Sequence, residues 1–270
     1  GVSASQVELK SQISFQNNIT SEEIQETMIK SAADLISEET PNYQLVAGRL
    51  ITYHLRKQVY GQFEPPKLID IVKKNIQLKM YDRLLLKWYK NGEWKQMERW
   101  IDHKRDEQYT YAAMEQFRGK YLVQDRYSEK VFETPQVALM LIAATLFHRY
   151  PKETRMKWVK DFYDSVSKFE ISLPTPVMAG VRTSIRQFSS CVLIESGDSL
   201  DSINATAASI VKYVSKRAGI GIGGGAIRAI GSSINGGHAT HTGAIPFYKH
   251  FQSAVRSCSQ GGVSGGAATM

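Results

Sequence analysis

The fold class is decided by residues 186–203, which read RQFSSCVLIESGDSLDSI. The apolar run within 187–195 predicts a buried strand, and the next polar residues lead into a helix predicted over 199–216. A second, short strand is predicted over 218–222. Strand, helix and strand in this order are typical of a parallel sheet, so this part of the chain is predicted to be α/β.

Upstream of this stretch the apolar spacing predicts helices. The first covers 21–37, and Thr20 or Ser21 can cap it. The LPTP motif at 173–176 predicts an extended segment, because a proline restricts the residue before it. The remaining predicted helices cover 42–60, 68–78, 81–90, 135–149, the end of one at 161–167, and 245–257.

Composition places the chain among globular proteins. Of its 270 residues 42% are hydrophobic and 10% aromatic, which is enough to form a core. The longest apolar run, at 137–147, is too short to cross a membrane, and the N-terminus lacks the pattern of a secretory signal. Two cysteines fit a reducing compartment. We therefore expect a soluble, cytoplasmic protein without a membrane partner.

Charge and histidine spacing exclude two further classes. The net charge is +8, but the basic middle of the chain alternates in sign (KNGEWKQMERWIDHKRDEQ), as solvated helix faces do. The six histidines have no zinc-type spacing with cysteines or carboxylates. We expect no dedicated nucleic-acid binding and no metal in this chain.

The residues alone leave the chemistry open. Cys191 lies in an apolar strand, where a buried structural thiol is the more common case. The GIGIGGG run at 219–225 is weak evidence for dinucleotide binding, and tight turns explain it equally well. Asp198 can be a plain helix cap.

Several long motifs in one order resemble the large, catalytic (alpha) subunit of class I (Ia-type) ribonucleotide reductase. These motifs are RQFSSCVLIESGDSLDSI at 186–203, LPTP, RAGIGI and HTGAIPFYKHFQSAVRSCSQGGVSGGAAT. Two more, YGQFEPP and KYLVQDRY, lie further upstream. The resemblance covers essentially the whole chain. It implies a mainly helical N-terminal region, with a partial ATP-cone over 1–61 and a helical domain over 62–186. The opening of a ten-stranded α/β barrel, with specificity-site loops, would follow over 187–270.

The resemblance also implies roles for particular residues. Cys191 matches the redox thiol that helps to reduce the substrate. Substrate-binding positions are Thr175, Ser190 and Gly219. The allosteric specificity site comprises Asp198, Ser199, Leu200, Arg228 and Asn235. The loop that carries its signal contains Cys258, Gln260, Gly261, Gly262 and Ser264. Ser21 and Lys57 match adenine-nucleotide positions of the ATP-cone.

Some positions depart from the family pattern. Asn235 and Ser264 stand where arginines are expected, and Gln25 stands where the cone has a histidine. Gly223 and Ala226 replace an asparagine and an arginine. Control by ATP or dATP and the choice of substrate are therefore expected to be retuned or weak.

The implied activity is the reduction of ribonucleoside diphosphates to deoxyribonucleoside diphosphates, in which this chain is incomplete on its own. The implied partners are the C-terminal part of the large subunit on a separate chain, the small subunit whose metal centre supplies the radical, a second large subunit, and thioredoxin or glutaredoxin as reductant. Deoxynucleoside triphosphates and ATP are the implied allosteric ligands. Two alternatives stay open, a non-catalytic nucleotide-binding regulatory module derived from such a subunit and an isolated fragment of one.

Overall fold

A computed structural model describes residues 1–12, 14–15, 17–185, 187–216, 218–258 and 266–270. The chain forms two compact units, Gly1–Arg186 and Gln187–Met270. Each is described by itself below. None of the described helices is both long and apolar enough to cross a membrane.

The first unit is helical. Its helices α1 to α10 are, in order, Ala4–Gln12, Ser21–Ala33, Tyr43–Tyr60, Leu68–Gln77, Leu85–Trp88, Asn91–Trp100, Tyr111–Gln116, Pro135–Phe147, Arg155–Ser167 and Thr175–Gly180. A 3₁₀ turn covers His103–Gln108, and a π-helical turn covers Phe117–Tyr121.

A large apolar core holds most of the first unit together, and a smaller cluster is formed by Val7, Ala32, Tyr43 and Ala47. Helix α8 is buried along nearly its whole length, from Pro135 to Thr145. Ile51 and Leu55 of α3 belong to the same buried core as α8, so residues before and after position 61 pack together. The division into a cone over 1–61 and a helical domain over 62–186 stays a prediction.

Local signals placed five of these ten helices, namely α2, α3, α4, α8 and the end of α9, whereas α1, α6 and α7 were not predicted. Helix α2 begins after Thr20, whose hydroxyl accepts a hydrogen bond from the backbone N–H of Glu23 in a capping box. The helix predicted over 81–90 shrinks to α5, because a turn precedes it, in which the Asp82 carboxylate accepts a hydrogen bond from the backbone N–H of Leu84.

The expectation of an extended LPTP segment is only partly right. Pro174 is extended, but Thr175 and Pro176 begin α10. Proline is tolerated in the first turn of a helix, because the backbone N–H that it lacks would have no intrahelical partner there.

The second unit is an α/β structure. Its elements are, in order, β1 Cys191–Glu195, α11 Leu200–Val214, β2 Gly219–Gly223, β3 Ser233–Ile234, β4 Ala239–Thr240, α12 Ile245–Arg256 and β5 Ala268–Thr269. Strands β1, β2 and β5 form a parallel sheet in that order, and β3 pairs with β4 in a short antiparallel hairpin. The predicted class, a helical region followed by the start of a parallel α/β domain, is confirmed.

The prediction of a buried strand over 187–195 is wrong in two respects. Strand β1 begins only at Cys191, and its residues alternate between exposed and half-buried. Val192 and Ile194 pack on the core formed with α11 and α12. Within the described residues these helices cover one face of the sheet, so Leu193 on the other face is 87% exposed.

Candidate functional site

The amino ends of β1 and β2 bring three predicted site residues together. Cys191 is the direct neighbour of Gly219 across the parallel pair. The backbone N–H of Gly219 donates a hydrogen bond to the carbonyl oxygen of Ser190 over 2.7 Å. The Ser190 hydroxyl lies 3.8 Å from the Cys191 sulfur. The structure thus places Ser190, Cys191 and Gly219 side by side, and the roles expected for them stay predictions.

Cys191 presents a free and exposed thiol. Within the described residues the thiol lies on the uncovered face of the sheet and is not buried. Gly219 leaves room beside it, since a Cβ at this position would meet only the Ser190 carbonyl oxygen, at an ordinary 3.6 Å. The Cys191 sulfur is thus accessible and lies next to the backbone of Gly219, which has no side chain.

The alternation in GIGIG explains this arrangement. Ile220 and Ile222 point to the core, while the glycines of β2 lie on the same face as Cys191. Leu193 lies over Gly221, where a Cβ would meet its Cδ2 at 2.5 Å. Sequence reasoning missed Leu193 as part of this face, although the period of two along β1 from Cys191 would have indicated it.

The carboxyl end of β1 leads into the predicted specificity site. The hydroxyl of Ser199 caps α11 by accepting a hydrogen bond from the backbone N–H of Ser202. The Ser202 hydroxyl accepts in turn from the backbone N–H of Gly197 over 2.7 Å. Leu200, the first residue of α11, is 67% exposed. These hydrogen bonds hold the turn, and Ser199 and Leu200 are exposed at its surface.

Asp198 and Arg228 form the charged centre of this second site. The Asp198 carboxylate accepts hydrogen bonds from the backbone N–H of Arg228 over 2.8 Å and from its guanidinium. The backbone N–H bond and then the guanidinium bond lower the pKa of Asp198. Arg228 also donates to the Ser233 carbonyl oxygen on β3 over 2.9 Å. Asn235, just after β3, has a positive φ of 50°.

The two sites lie at opposite ends of β1. At about 3.3 Å per residue, Cys191 and the end of the strand at Glu195 are separated by about 13 Å. Cys258 follows α12, and its thiol donates to the Val211 carbonyl oxygen of α11 over 3.6 Å. The other predicted loop residues lie outside the described residues: Gln260, Gly261, Gly262 and Ser264.

The remaining predicted positions lie in the first unit. Ser21 begins α2, and Lys57 lies in the last turn of α3 with its ammonium 4.9 Å from the Tyr53 ring centre. A hydrogen bond from Gln58 to Glu22 over 2.8 Å holds these two helix ends together. Thr175 begins α10 and is half-buried. Among the described residues no cluster of three or more histidines, cysteines or carboxylates could hold a metal ion.

Comparison with known proteins gives this arrangement its family. The barrel-domain model of ribonucleotide reductase matches residues 189–270, and the all-alpha-domain model matches residues 107–186. The chain therefore belongs to the ribonucleotide reductase family, as part of a large subunit.

Named relatives agree with this assignment. The chain is 62% identical to ribonucleoside-diphosphate reductase 1 subunit alpha of Escherichia coli over 269 residues. It is 62% identical to the alpha subunit of Buchnera aphidicola from Acyrthosiphon pisum and 61% identical to that of Haemophilus influenzae. Each match covers 100% of this chain but only 35 or 36% of the relative. The chain thus spans about a third of the length of these relatives.

Proposed function

We propose that this chain supplies the helical region and the first barrel strands of a ribonucleoside-diphosphate reductase, which produces deoxyribonucleotides for DNA replication in the cytoplasm. The observation that carries the proposal is the exposed Cys191 thiol on β1, facing the same side as the bare backbone of Gly219. A ribose ring can approach the sulfur there without meeting a side chain at position 219.

Cys191 would act as one of two thiols that reduce the substrate. Removal of the 2′ hydroxyl as water needs two electrons and two protons. Cys191 and a second cysteine, supplied by the rest of the large subunit, would provide them and end as a disulfide. Thioredoxin or glutaredoxin would then reduce that disulfide. The radical that starts each turnover would come from the metal centre of the small subunit.

The Asp198–Arg228 pair supports a nucleotide effector site at the other end of β1. A guanidinium suits the phosphates of a deoxynucleoside triphosphate or ATP, and a carboxylate suits a ribose hydroxyl. In the described structure these two groups bind each other. Effector binding would have to exchange this pair for contacts to the nucleotide. Helices α11 and α12, which are adjacent, are the proposed surface for dimerisation with a second large subunit.

A non-catalytic nucleotide-binding module is the second candidate. Asn235 and Gln25, in place of a basic residue and a histidine, favour it. The identity of about 60% with reductase alpha subunits along the entire chain favours the reductase.

Reconstitution separates the two candidates. The chain is combined with the rest of a large subunit and the small subunit, and conversion of cytidine diphosphate is measured for wild type and Cys191→Ala. The reductase proposal predicts loss of product in the variant, with deoxynucleoside triphosphate binding unchanged. Binding without product formation in the wild type would instead support the regulatory module.

A further inference from the structure

A completely buried ion pair joins distant segments of the helical unit. Glu133 and Arg182 both have no exposed side-chain surface. The Glu133 carboxylate accepts hydrogen bonds from the Arg182 guanidinium, from the Tyr81 hydroxyl over 2.6 Å and from the backbone N–H of Val123 over 2.6 Å. Every donor that faces this carboxylate comes from a different segment of the chain.

The guanidinium of Arg182 also binds two backbone carbonyl groups. One nitrogen donates to Met178 over 2.6 Å, near the end of α10, and another donates to Tyr121 over 3.0 Å, at the end of the π-helical turn. Burial disfavours the charge on Arg182, but the Glu133 carboxylate outweighs this effect and raises the pKa of Arg182. The guanidinium therefore stays charged and connects α10, the π-helical turn and Glu133 through hydrogen bonds.

This link helps to fix where α10 lies, together with the burial of Met178 and Val181 in the apolar core. A helix of six residues, Thr175–Gly180, is too short to be stable on its own, so its position depends on what it contacts. A buried ion pair adds little net stability compared with apolar packing, but its hydrogen bonds tolerate only one geometry. Arg182 donates a hydrogen bond to the carboxyl-terminal turn of α10, and Thr175 lies in the first turn of the same short helix.

We infer that Arg182, held by Glu133, is a positioning residue that sets the placement of Thr175 against the substrate diphosphate. The inference rests on the proposed function and on the family resemblance, which implies that Thr175 binds the substrate at its diphosphate. Arg182 does not touch the substrate in this account. It acts only through α10.

Arg182→Lys is the variant that tests this role. Lysine keeps a positive charge for Glu133, but its single ammonium cannot reproduce the fork that reaches both Met178 and Tyr121. We expect the KM for cytidine diphosphate to rise roughly tenfold in the assembled reductase, because mispositioned binding groups weaken substrate binding. The kcat should stay within about twofold of wild type.

A matched control separates positioning from general damage. Arg155 is also buried and binds Glu93 through two hydrogen bonds, and it lies on α9 rather than beside α10. Arg155→Lys should leave KM unchanged. A merely structural role of Arg182 would reduce the amount of active enzyme, and hence the apparent kcat, in Arg182→Lys without moving KM. That result would overturn the inference.

A double variant shows whether the effect passes through Thr175. If it does, Thr175→Ala/Arg182→Lys has the same KM as Thr175→Ala alone, because the two changes disturb one contact. Multiplying effects would overturn the inference. If Thr175→Ala leaves KM unchanged while Arg182→Lys raises it, the role proposed for Thr175 is wrong. Should Arg182→Lys not fold, Tyr81→Phe removes one hydrogen bond to Glu133, and a KM rise of roughly threefold is expected.

Discussion

Replacing Asp106 by asparagine should change how the stability of the helical unit depends on pH. Asp106 lies in the 3₁₀ turn His103–Gln108 and is completely buried. Burial raises the pKa of its carboxyl to about 7, although the neighbouring Gln136 and Arg56 act in the opposite direction. In the unfolded chain the same carboxyl ionises near pH 3.8.

The sign and size of the effect follow from these two values. Between pH 3.8 and about 7 the unfolded chain has released the proton that the folded chain still holds, so the free energy of unfolding falls as pH rises. A gap of about 3 pH units, at about 1.4 kcal/mol each, corresponds to about 4 kcal/mol. The asparagine side chain of the variant cannot ionise, so Asp106→Asn should gain up to this amount over wild type above pH 7 and nothing near pH 4.

His103 contributes the opposite dependence. Burial, reinforced by Arg56, lowers the pKa of His103 to about 4. Below pH 6.5 this histidine is therefore protonated in the unfolded chain but stays neutral in the folded chain. As a result, the free energy of unfolding falls as pH falls from about 6.5 to 4. The two slopes oppose each other in wild type. In Asp106→Asn the opposing slope of Asp106 is absent, so the variant should become more stable as pH rises through this range. Burial also lowers the pKa of His54, which acts in the same direction as His103.

Urea unfolding followed by tryptophan fluorescence measures this difference. All four tryptophans lie in the first unit, so the signal reports on the helical unit. Glu107→Gln is a matched control, because Glu107 is the exposed carboxylate next in the chain. Its difference from wild type should be the same at about pH 4, 6 and 8. If Asp106→Asn also differs from wild type by a constant amount, the burial argument is refuted.

Three further tests concern glycine positions and one helix cap. Gly48→Ala places a Cβ 2.2 Å from a backbone oxygen and should lower the free energy of unfolding in urea by about 3 kcal/mol. Gly92→Ala, whose Cβ meets open space in α6, should raise it by about 0.5 to 1 kcal/mol. Equal effects of the two variants would contradict the tight contact at Gly48. Gly221→Ala should leave the midpoint of thermal unfolding of the second unit, followed by circular dichroism, nearly unchanged, because Leu193 Cδ2 is the end of a flexible side chain that is 87% exposed and is free to rotate away; a clear fall of the midpoint would show that Leu193 is held in place. Thr20→Ala removes the cap of α2 and should cost about 1 kcal/mol in the same urea assay, and an unchanged midpoint would contradict the capping role.

Elements with strong local signals were predictable from the sequence. Helix α3 was predicted over 42–60 and covers Tyr43–Tyr60, because its apolar spacing and the glycine at 61 mark both its face and its end. Helix α12 agrees as closely. Helices α1, α6 and α7 were missed. Strands β3, β4 and β5 were also missed, since each has only two residues, too few to show any periodicity.

The site was predictable only in part. The motif resemblance named Asp198 and Arg228, but their mutual hydrogen bonds join positions 30 residues apart and no local pattern indicates them. No local pattern indicates the pairing of Glu133 with Arg182 either, because these residues are 49 positions apart. The exposure of Cys191 depends on which face of the sheet α11 and α12 cover, which the sequence of the strand does not contain.

A single-turnover experiment tests the central claim that Cys191 is a redox thiol. The reductase containing this chain is fully reduced, freed of thioredoxin and other reductants, and given cytidine diphosphate with the small subunit present. Free thiols are then alkylated, and mass spectrometry identifies the cysteines that escaped. The account predicts that Cys191 becomes part of a disulfide in proportion to the product formed, and only when substrate is added. Product formation with Cys191 still fully alkylated would contradict it.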